Sequence, residues 1–448
     1  MTAPKILDVI VVGGGAAGLM AACTARQEGA DVLLLEKNRL PGQKLLLTGH
    51  GRCNLTNIRI PDNFIQAYHE NARFLTSALT AFSPEDVREY FLSLGVPTHE
   101  EDAGRIFPDT EKAETVLNAL VKKYLDMDGK YAGSMPAERI HFDEDHGLWA
   151  VFPLAPNQEK NDGCFFAKSV ILCGGGKSYF MHAADEGLAG DAYRIAESLG
   201  HEIVPFQPAL APILLAALTK DPTRRINDEE SLDTMAGVTI PDVGTSLWVD
   251  GKKLANTKGD LLFTHQGVSG PAAMELSRYL PAEKGLYPKE HVQFCIDFLP
   301  GKNQEKVDKD LLKAIEEHPN MSIRKILTIA FLHILKSASL VWPKEDKPGH
   351  SVTKTERAYI VERLKKLPLD VEKCTPLNMA YVTRGGVSVK GIDPKTMGSK
   401  LAAGIFFAGE IMDIDGISGG YNLQCAWSTG RAAGLAAAEY SLDNSRSI

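Results

Sequence analysis

The chain has 448 residues, of which 44% are hydrophobic and 24% charged, and a formal net charge of −8. At roughly 150 residues per domain that length makes about three domains, and the acidic balance disfavours a nucleic-acid partner or an anionic membrane surface, where a basic footprint is expected. Seven cysteines lie scattered with no Cys-x-x-Cys pair, which argues against a disulfide framework, a dithiol redox centre and a zinc ribbon.

From the N-terminus, no basic leader with a cleavage site precedes the first apolar run, and no apolar stretch reaches the ~18 residues of a membrane helix. A cytoplasmic protein is expected. Residues 6–12, ILDVIVV, are a continuous apolar run of the buried parallel type, 16–27 an alanine-rich helix, and 31–36 a second buried strand. Together they make one βαβ unit. Ser-Pro-Glu-Asp at 83–86 starts a helix that stops at Gly95, and an amphipathic helix covers 111–125. Residues 139–166 alternate weakly between turn residues, a β meander, and lead into a short buried strand over 168–173. A helix over 191–199 follows.

From 201 to about 300 the pattern becomes short strands broken by Pro and Gly. Residues 303–369 are mostly helical and richly charged, with helices expected at 303–317, 323–337 and 354–366. Strands return after Cys374, 403–408 is a buried strand, and a small-residue helix over 423–439 closes the chain. The expected fold class is α/β. One domain is assembled from 1–200 and 394–448, a β domain from 201–302 and 370–393 is inserted in it, and a helical insert, 303–369, lies within that.

Gly13-Gly14-Gly15-Ala16-Ala17-Gly18 places GxGxxG between the first strand and helix. Gly13 permits the tight turn, Gly15 lets a pyrophosphate approach the backbone, and Gly18 lets helix and sheet pack closely. The helix N-terminus offers N–H groups and a positive dipole end to phosphates. Glu36, at the end of the second strand, can accept adenosine ribose hydroxyls and repels a 2′-phosphate, which disfavours NADP here. Lys37 and Lys44 follow as candidate contacts of the same ligand. This motif alone separates neither NAD from FAD nor a ligand site from a glycine-rich turn.

Residues 404–434, GIFFAGEIMDIDGISGGYNLQCAWSTGRAAG, carry the second signal. A buried strand runs into Gly409-Glu410, a glycine-rich loop passes Asp413 and Gly420, and a helix starts near Asn422. That order suits a flavin: a polar group for the ribityl chain, then a helix N-terminus that stabilises the negative charge of the reduced ring. Tyr421, Asn422, Leu423 and Gln424 are the candidate contacts, and Tyr421 either meets the flavin edge or packs. Between the two ends, Ser169–Gly175 resembles the strand-to-glycine motif of glutathione-reductase-type FAD folds, which adds Cys173, Gly174 and Gly175. The spacing around Lys177 lacks the first glycine of a P-loop. One GxGxxG implies FAD without a dedicated nicotinamide domain.

These stretches, with TGHGRCNLTN (48–57), GRIFPDTEKAETVLNAL (104–120), GDLLFTHQGVSGPAAMELS (259–277) and TRGGVSV (383–389), resemble the bacterial FAD flavoprotein family that includes aminoacetone oxidase and a bile-acid dehydro-reductase. The resemblance covers nearly the whole chain. It implies a glutathione-reductase-type FAD-binding Rossmann-like domain with an inserted β domain that itself carries a helical insert. It also brings Gly51, Arg52, Cys53 and Asn54 close to the flavin. In the family, Ser-Tyr-Pro and a Gly-Ser-Thr-Gly-Asp-Gly run follow the strand-to-glycine element; residues 178–191 here depart from that.

Arg52 is a candidate to neutralise a phosphate or an anionic flavin, and Asn54 to hydrogen-bond the ring. Cys53 is a candidate thiol nucleophile or a packing residue under its loop. His265 is a candidate proton donor or a structural histidine, and Arg384 a candidate cavity residue. No metal site is expected. The expected activity is FAD-dependent oxidation or reduction of a small organic substrate by hydride transfer, with NAD(P)H or substrate as donor. A flavoprotein acting on RNA and a non-catalytic redox sensor are the alternatives. The substrate pocket is expected between the FAD domain and the β domain.

Overall fold

The computed structural model describes residues 6–59, 65–154, 163–178, 191–216, 235–280, 291–332, 340–342 and 344–443. The chain divides into two compact units, Met1–Phe206 with Val382–Ile448, and Gln207–Tyr381.

In the first unit the strand β1 (Ile6–Val12) pairs in parallel with β2 (Val32–Leu35) on one side and with Phe165–Leu172 on the other. Val9, Ile10 and Val11 are wholly buried, as expected for a strand covered on both faces. Lys130–Ala132 extends the parallel sheet beyond β2, and Ile405–Phe407 pairs with the far half of Phe165–Leu172. The near half instead pairs antiparallel with Leu148–Pro153, which pairs antiparallel with Ala137–Asp143. The meander therefore runs straight into the parallel sheet through one shared strand, Phe165–Leu172.

The first helix, α1 (Ala16–Gln27), has the extent its alanine pattern predicts. Pro84–Ser93 begins at a capping box in which Ser83 and Asp86 satisfy each other's backbone N–H groups, a device that contributes about 1 kcal/mol. The C-terminal helix is longer than expected, Tyr421–Asp443. It lies against α1 through glycines one turn apart: a Cβ on Gly430 would fall 2.5 Å from Ala17 O, and one on Gly434 2.5 Å from Ala21 O. No side chain fits between these backbones.

The second unit is built on a closed antiparallel barrel. Its strands, in order round the barrel, are Ile213–Leu215, Gly267–Ser269, Lys252–Phe263, Thr239–Val249, Val292–Asp297 and Leu367–Cys374. Two findings differ from the sequence pattern. Thr239–Val249 and Lys252–Phe263 are long, not short, strands. The turn between them, Asp250-Gly251, has left-handed φ of +47° and +77°, the conformation a two-residue hairpin requires. Leu367–Cys374 is a barrel strand, so the helical stretch ends at Lys365.

Gln304–Glu317, capped by Asn303, and Lys354–Lys365 do not form a core of their own. Val307, Leu311, Ile360 and Leu364 share one apolar cluster with Phe294, Ile296 and Leu367 of the barrel. Ile323–Leu327 continues as a π turn over Thr328–Leu332, and the rest of the expected helix to residue 337 lies outside the described residues. No helix among the described residues is long and apolar enough to cross a membrane.

Two outcomes follow. Gly430→Val or Gly434→Leu forces α1 and the C-terminal helix apart and is expected to destabilise the protein by about 1–3 kcal/mol or more, read as a lower Tm. His201 is 3% exposed, with Nε2 2.8 Å from Ser399 Oγ and its ring against Phe407. Burial lowers its pKa, so as pH falls the unfolded chain takes up the proton first. Stability that is fully present above the unfolded value of about 6.5 is lost as pH falls toward the folded one. Between about pH 7 and pH 5, wild type should lose more Tm than His201→Gln.

Candidate functional site

Three strand ends line up on one edge of the first unit's sheet. Gly13 donates its N–H to Leu35 O (2.8 Å), Cys173 to Val12 O (2.8 Å) and Ala408 to Leu172 O (3.1 Å). The turns leaving β1, Phe165–Leu172 and Ile405–Phe407 therefore open side by side at the carboxyl edge, where open α/β sheets bind ligands.

At Gly13 the chain turns with φ +105°, and a Cβ would fall 2.4 Å from the Cys173 carbonyl oxygen. Gly18 is more constrained still, its Cβ position lying 1.8 Å from Gly13 O. Gly15 differs: a Cβ there would meet nothing within 4 Å, so its backbone fronts open space. Ala16 and Ala17 follow at the start of α1, whose early N–H groups precede the Leu19 N–H to Gly15 O bond and have no intrahelical acceptor. Gly174 packs against Ala192, and Gly175 turns with φ +70°.

Glu36 is 6% exposed, and its carboxylate accepts from the Gly14 N–H (2.6 Å), the Asn38 N–H (2.8 Å) and the Asn38 amide (2.7 Å). An ionised carboxylate has about four acceptor sites, which leaves about one for a ribose hydroxyl instead of the two the sequence pattern implies. Lys37 is half-buried beside it.

Lys44 and Glu410, 366 residues apart, form an ion pair: Nζ lies 2.9 and 2.7 Å from the two carboxylate oxygens. Ser178 Oγ lies 2.9 Å from the same Nζ, and Glu410 also accepts the Thr383 N–H at 2.9 Å. Gly409 takes φ +74° with its N–H on Thr429 Oγ1 (3.0 Å). Its Cβ position, 2.7 Å from Ala17 Cβ, excludes any larger residue. The Glu410 cluster was invisible as a pattern because its members come from four separate stretches of sequence.

Gly51-Arg52-Cys53-Asn54 divides. Asn54 Oδ1 is buried without a hydrogen-bond partner. The Arg52 guanidinium is held by Glu101 and Glu111 and stacks 4.0 Å over Phe107. In this structure its charge faces those two carboxylates. Cys53 is wholly buried, with its thiol pushed up to about 12 by burial. Nucleophilic attack needs an accessible thiolate, so Cys53 is a packing residue in a left-handed turn and its catalytic reading is withdrawn. Cys173 is likewise buried with its thiol pushed up.

Around the C-terminal helix start, several side chains are occupied by the fold. Tyr421 donates its hydroxyl to Arg59 O (2.6 Å) and packs edge-on against Tyr68. Asn422 clips the loop shut through Oδ1 to the Gly416 N–H and Nδ2 to Gly416 O, both 2.8 Å. Gln424, 2% exposed, bonds Thr56, Phe82 O and Ser428. Leu423 packs on the core. A Cβ on Gly420 would fall 2.5 Å from Thr56 O. The N–H groups ahead of the Gln424 to Gly420 bond precede the first intrahelical hydrogen bond of this helix.

Asp413 is raised above the usual carboxylate range by burial, with the Asn71 amide opposing. Arg384 lies on Val382–Val387 with its guanidinium 3.6 Å from Glu70. His265 is exposed in the turn between two barrel strands of the second unit, whereas Arg384 and Cys53 belong to the first. Residues 179–190, most of the stretch that departs from the family pattern, lie outside the described residues.

The residues of this edge fit FAD. The open space before Gly15, the remaining acceptor site on Glu36 and the unpartnered Asn54 Oδ1 offer places for pyrophosphate, ribose and a donor such as a flavin ring N–H. This edge is that of a dinucleotide-binding Rossmann flavoprotein. The chain belongs to the family described as HI0933-like protein Rossmann domain, whose model matches residues 7–436, a family of FAD-dependent oxidoreductases. It is 31% identical to a 3-dehydro-bile acid delta(4,6)-reductase of Clostridium scindens, over 96% of this chain and 98% of that protein. It is 30% identical to a ribosomal RNA dihydrouridine synthase of Haemophilus influenzae, over 95% and 97%. Among solved structures, a 3-ketosteroid-delta4-(5alpha)-dehydrogenase of Rhodococcus jostii aligns over 98% of each chain at 16% identity and a TM-score of 0.48.

If Glu36 holds the ribose, Glu36→Ala is expected to weaken FAD binding about 30- to 150-fold, the equivalent of ~2–3 kcal/mol for a charge-assisted bond. Flavin retained through dialysis, measured by absorbance in protein of unchanged circular dichroism, checks it; undiminished retention places the adenosine elsewhere.

Proposed function

We propose that this protein is an FAD-dependent reductase that delivers a hydride to a carbon–carbon double bond conjugated with a carbonyl in a small organic molecule. One observation carries the reading. The two relatives matched over nearly the whole chain differ in substrate, yet the named reaction of each saturates a ring double bond conjugated with a carbonyl. A flavin supplies two-electron hydride chemistry of this kind when bound. Six of the seven thiols are buried, and the redox step is assigned to the cofactor. The protein's part is to bind, orient and exclude water. Glu36 and the Gly15 turn hold the adenosine end, and Glu410, clamped by Lys44, holds a fixed acceptor near the ribityl chain. The backbone N–H groups at the start of the C-terminal helix favour negative charge on the ring.

NAD(P)H is the proposed donor, visiting transiently, because the sequence has one convincing GxGxxG after a strand. Reduction of a uridine in RNA is a second reading. The Haemophilus influenzae relative favours it and the net charge of −8 opposes it.

The purified protein should be yellow and release FAD on acid precipitation. Under anaerobic conditions NADH or NADPH should bleach the flavin, and testosterone, which contains a conjugated enone, should restore its absorbance. Restoration by ribosomal RNA and not by the steroid would favour the second reading. A flavin that neither nicotinamide reduces would remove NAD(P)H as donor.

A further inference from the structure

The segment 67–71 runs along the loop 413–421, which precedes and opens the C-terminal helix. Ile417 donates its N–H to Ala67 O (2.8 Å), Tyr68 its hydroxyl to Tyr421 O (3.0 Å), and Asn71 its amide to Asp413 O (2.6 Å) and Oδ2 (2.9 Å). His69 lies between these anchors with a left-handed backbone, φ +56°. Its Nε2 is 3.8 Å from Asp415 Oδ2, and the two side chains are 15% and 7% exposed. The imidazole and the carboxylate thus face each other in a largely enclosed space. The other charged groups gathered here are Asp413 on the loop, Glu70 beside His69, and Arg384, which faces Glu70 at 3.6 Å.

Saturating a conjugated double bond takes a proton as well as a hydride. Two nearby hydroxyls and two nearby thiols are committed elsewhere. The Tyr68 and Tyr421 hydroxyls already donate to backbone carbonyls, and the Cys53 and Cys425 thiols are buried. We propose that His69, held by Asp415, is the proton donor of the reductase reaction, an inference that rests on the function proposed above. Reduced flavin, when bound, would supply hydride for a C–H bond at the β carbon, with the π electron pair shifting toward the carbonyl. The imidazolium N–H proton then bonds to the α carbon. Bound flavin would supply the two electrons that the substrate gains; His69 is left neutral and recovers its proton from water, and Asp415 lies 3.8 Å from its Nε2.

The test uses holoprotein, wild type against His69→Gln and Asp415→Asn, reduced anaerobically and mixed with testosterone in a stopped-flow spectrometer. His69→Gln should retain FAD and its rate of reduction, yet reoxidise about 10²- to 10⁴-fold more slowly and lose the alkaline fall of the wild-type pH profile. In deuterium oxide the wild-type product should carry deuterium at the α carbon. Wild-type rate and pH profile in His69→Gln, or in His69→Asn if the glutamine variant does not fold, overturn the assignment of His69. Wild-type protein that testosterone does not reoxidise overturns the proposed reaction instead. In that event an imidazole titration by NMR that stays unmoved by Asp415→Asn overturns the pair as well.

Discussion

The first unit depends on the absence of side chains around Ala17. Gly18 must approach Gly13, Gly409 must approach the Ala17 side chain, and Gly430 must approach the Ala17 carbonyl. The N-terminal turn and two positions some four hundred residues on, Gly409 and Gly430, thus meet at the first turn of one helix. A Cβ at Gly18 or Gly430, or anything larger at Gly409, would push a strand end or the C-terminal helix off the sheet edge. Because the carboxyl edge is defined by those strand ends, the constraint that packs the unit also shapes the ligand site.

Polar groups on that edge are mostly satisfied by one another, which restricts what remains for a ligand. Glu36 spends three acceptor positions on Gly14 and Asn38, and Glu410 is clamped by Lys44 and Thr383. Such bonds lock the carboxylates in one orientation before any ligand arrives, so little ordering remains to be done on binding. What stays available is largely backbone: the turn at Gly15 and the N-terminus of the C-terminal helix. A site of this kind recognises the phosphates and the electron-rich ring edge of a cofactor by dipole and N–H position.

Elements whose cause is local were legible in the sequence. α1 shows because alanine spacing and two glycine turns bound it, and the helix after Ser83 because its capping box is contiguous. The meander and the Rossmann motifs show for the same reason. The long hairpin was not read from the sequence: lysines and polar residues dominate the outer face of Lys252–Phe263, so no apolar run marks a strand, although Asp250-Gly251 is itself a hairpin dipeptide and takes the left-handed φ such a turn needs. Leu367–Cys374 likewise owes its strand state to ladders with Val292–Asp297 and Ile213–Leu215. Side-chain roles were harder still. Arg52 reads as a free cation until Glu101 and Glu111, about fifty residues on, are folded against it. Tyr421 and Gln424 read as ligand contacts, and in the fold their side-chain polar atoms bond Arg59, Thr56 and Phe82.

The thiols complete the chemical argument. Cys23, Cys53, Cys374 and Cys425 are all buried, with burial pushing each thiol up to about 12. A thiol in that state is neither a nucleophile nor an electron carrier near neutral pH. In the function proposed above the electrons travel through the cofactor, and the polypeptide contributes position and a proton. Position is supplied by glycine turns and clamped carboxylates, both rigid. A proton requires a group that changes state near neutrality, and among protein side chains that is the ordinary property of histidine. The loop before the C-terminal helix has one such imidazole, His69, set against a buried carboxylate contributed by the loop itself. The segment 67–71 and the loop before the C-terminal helix therefore meet at this pair.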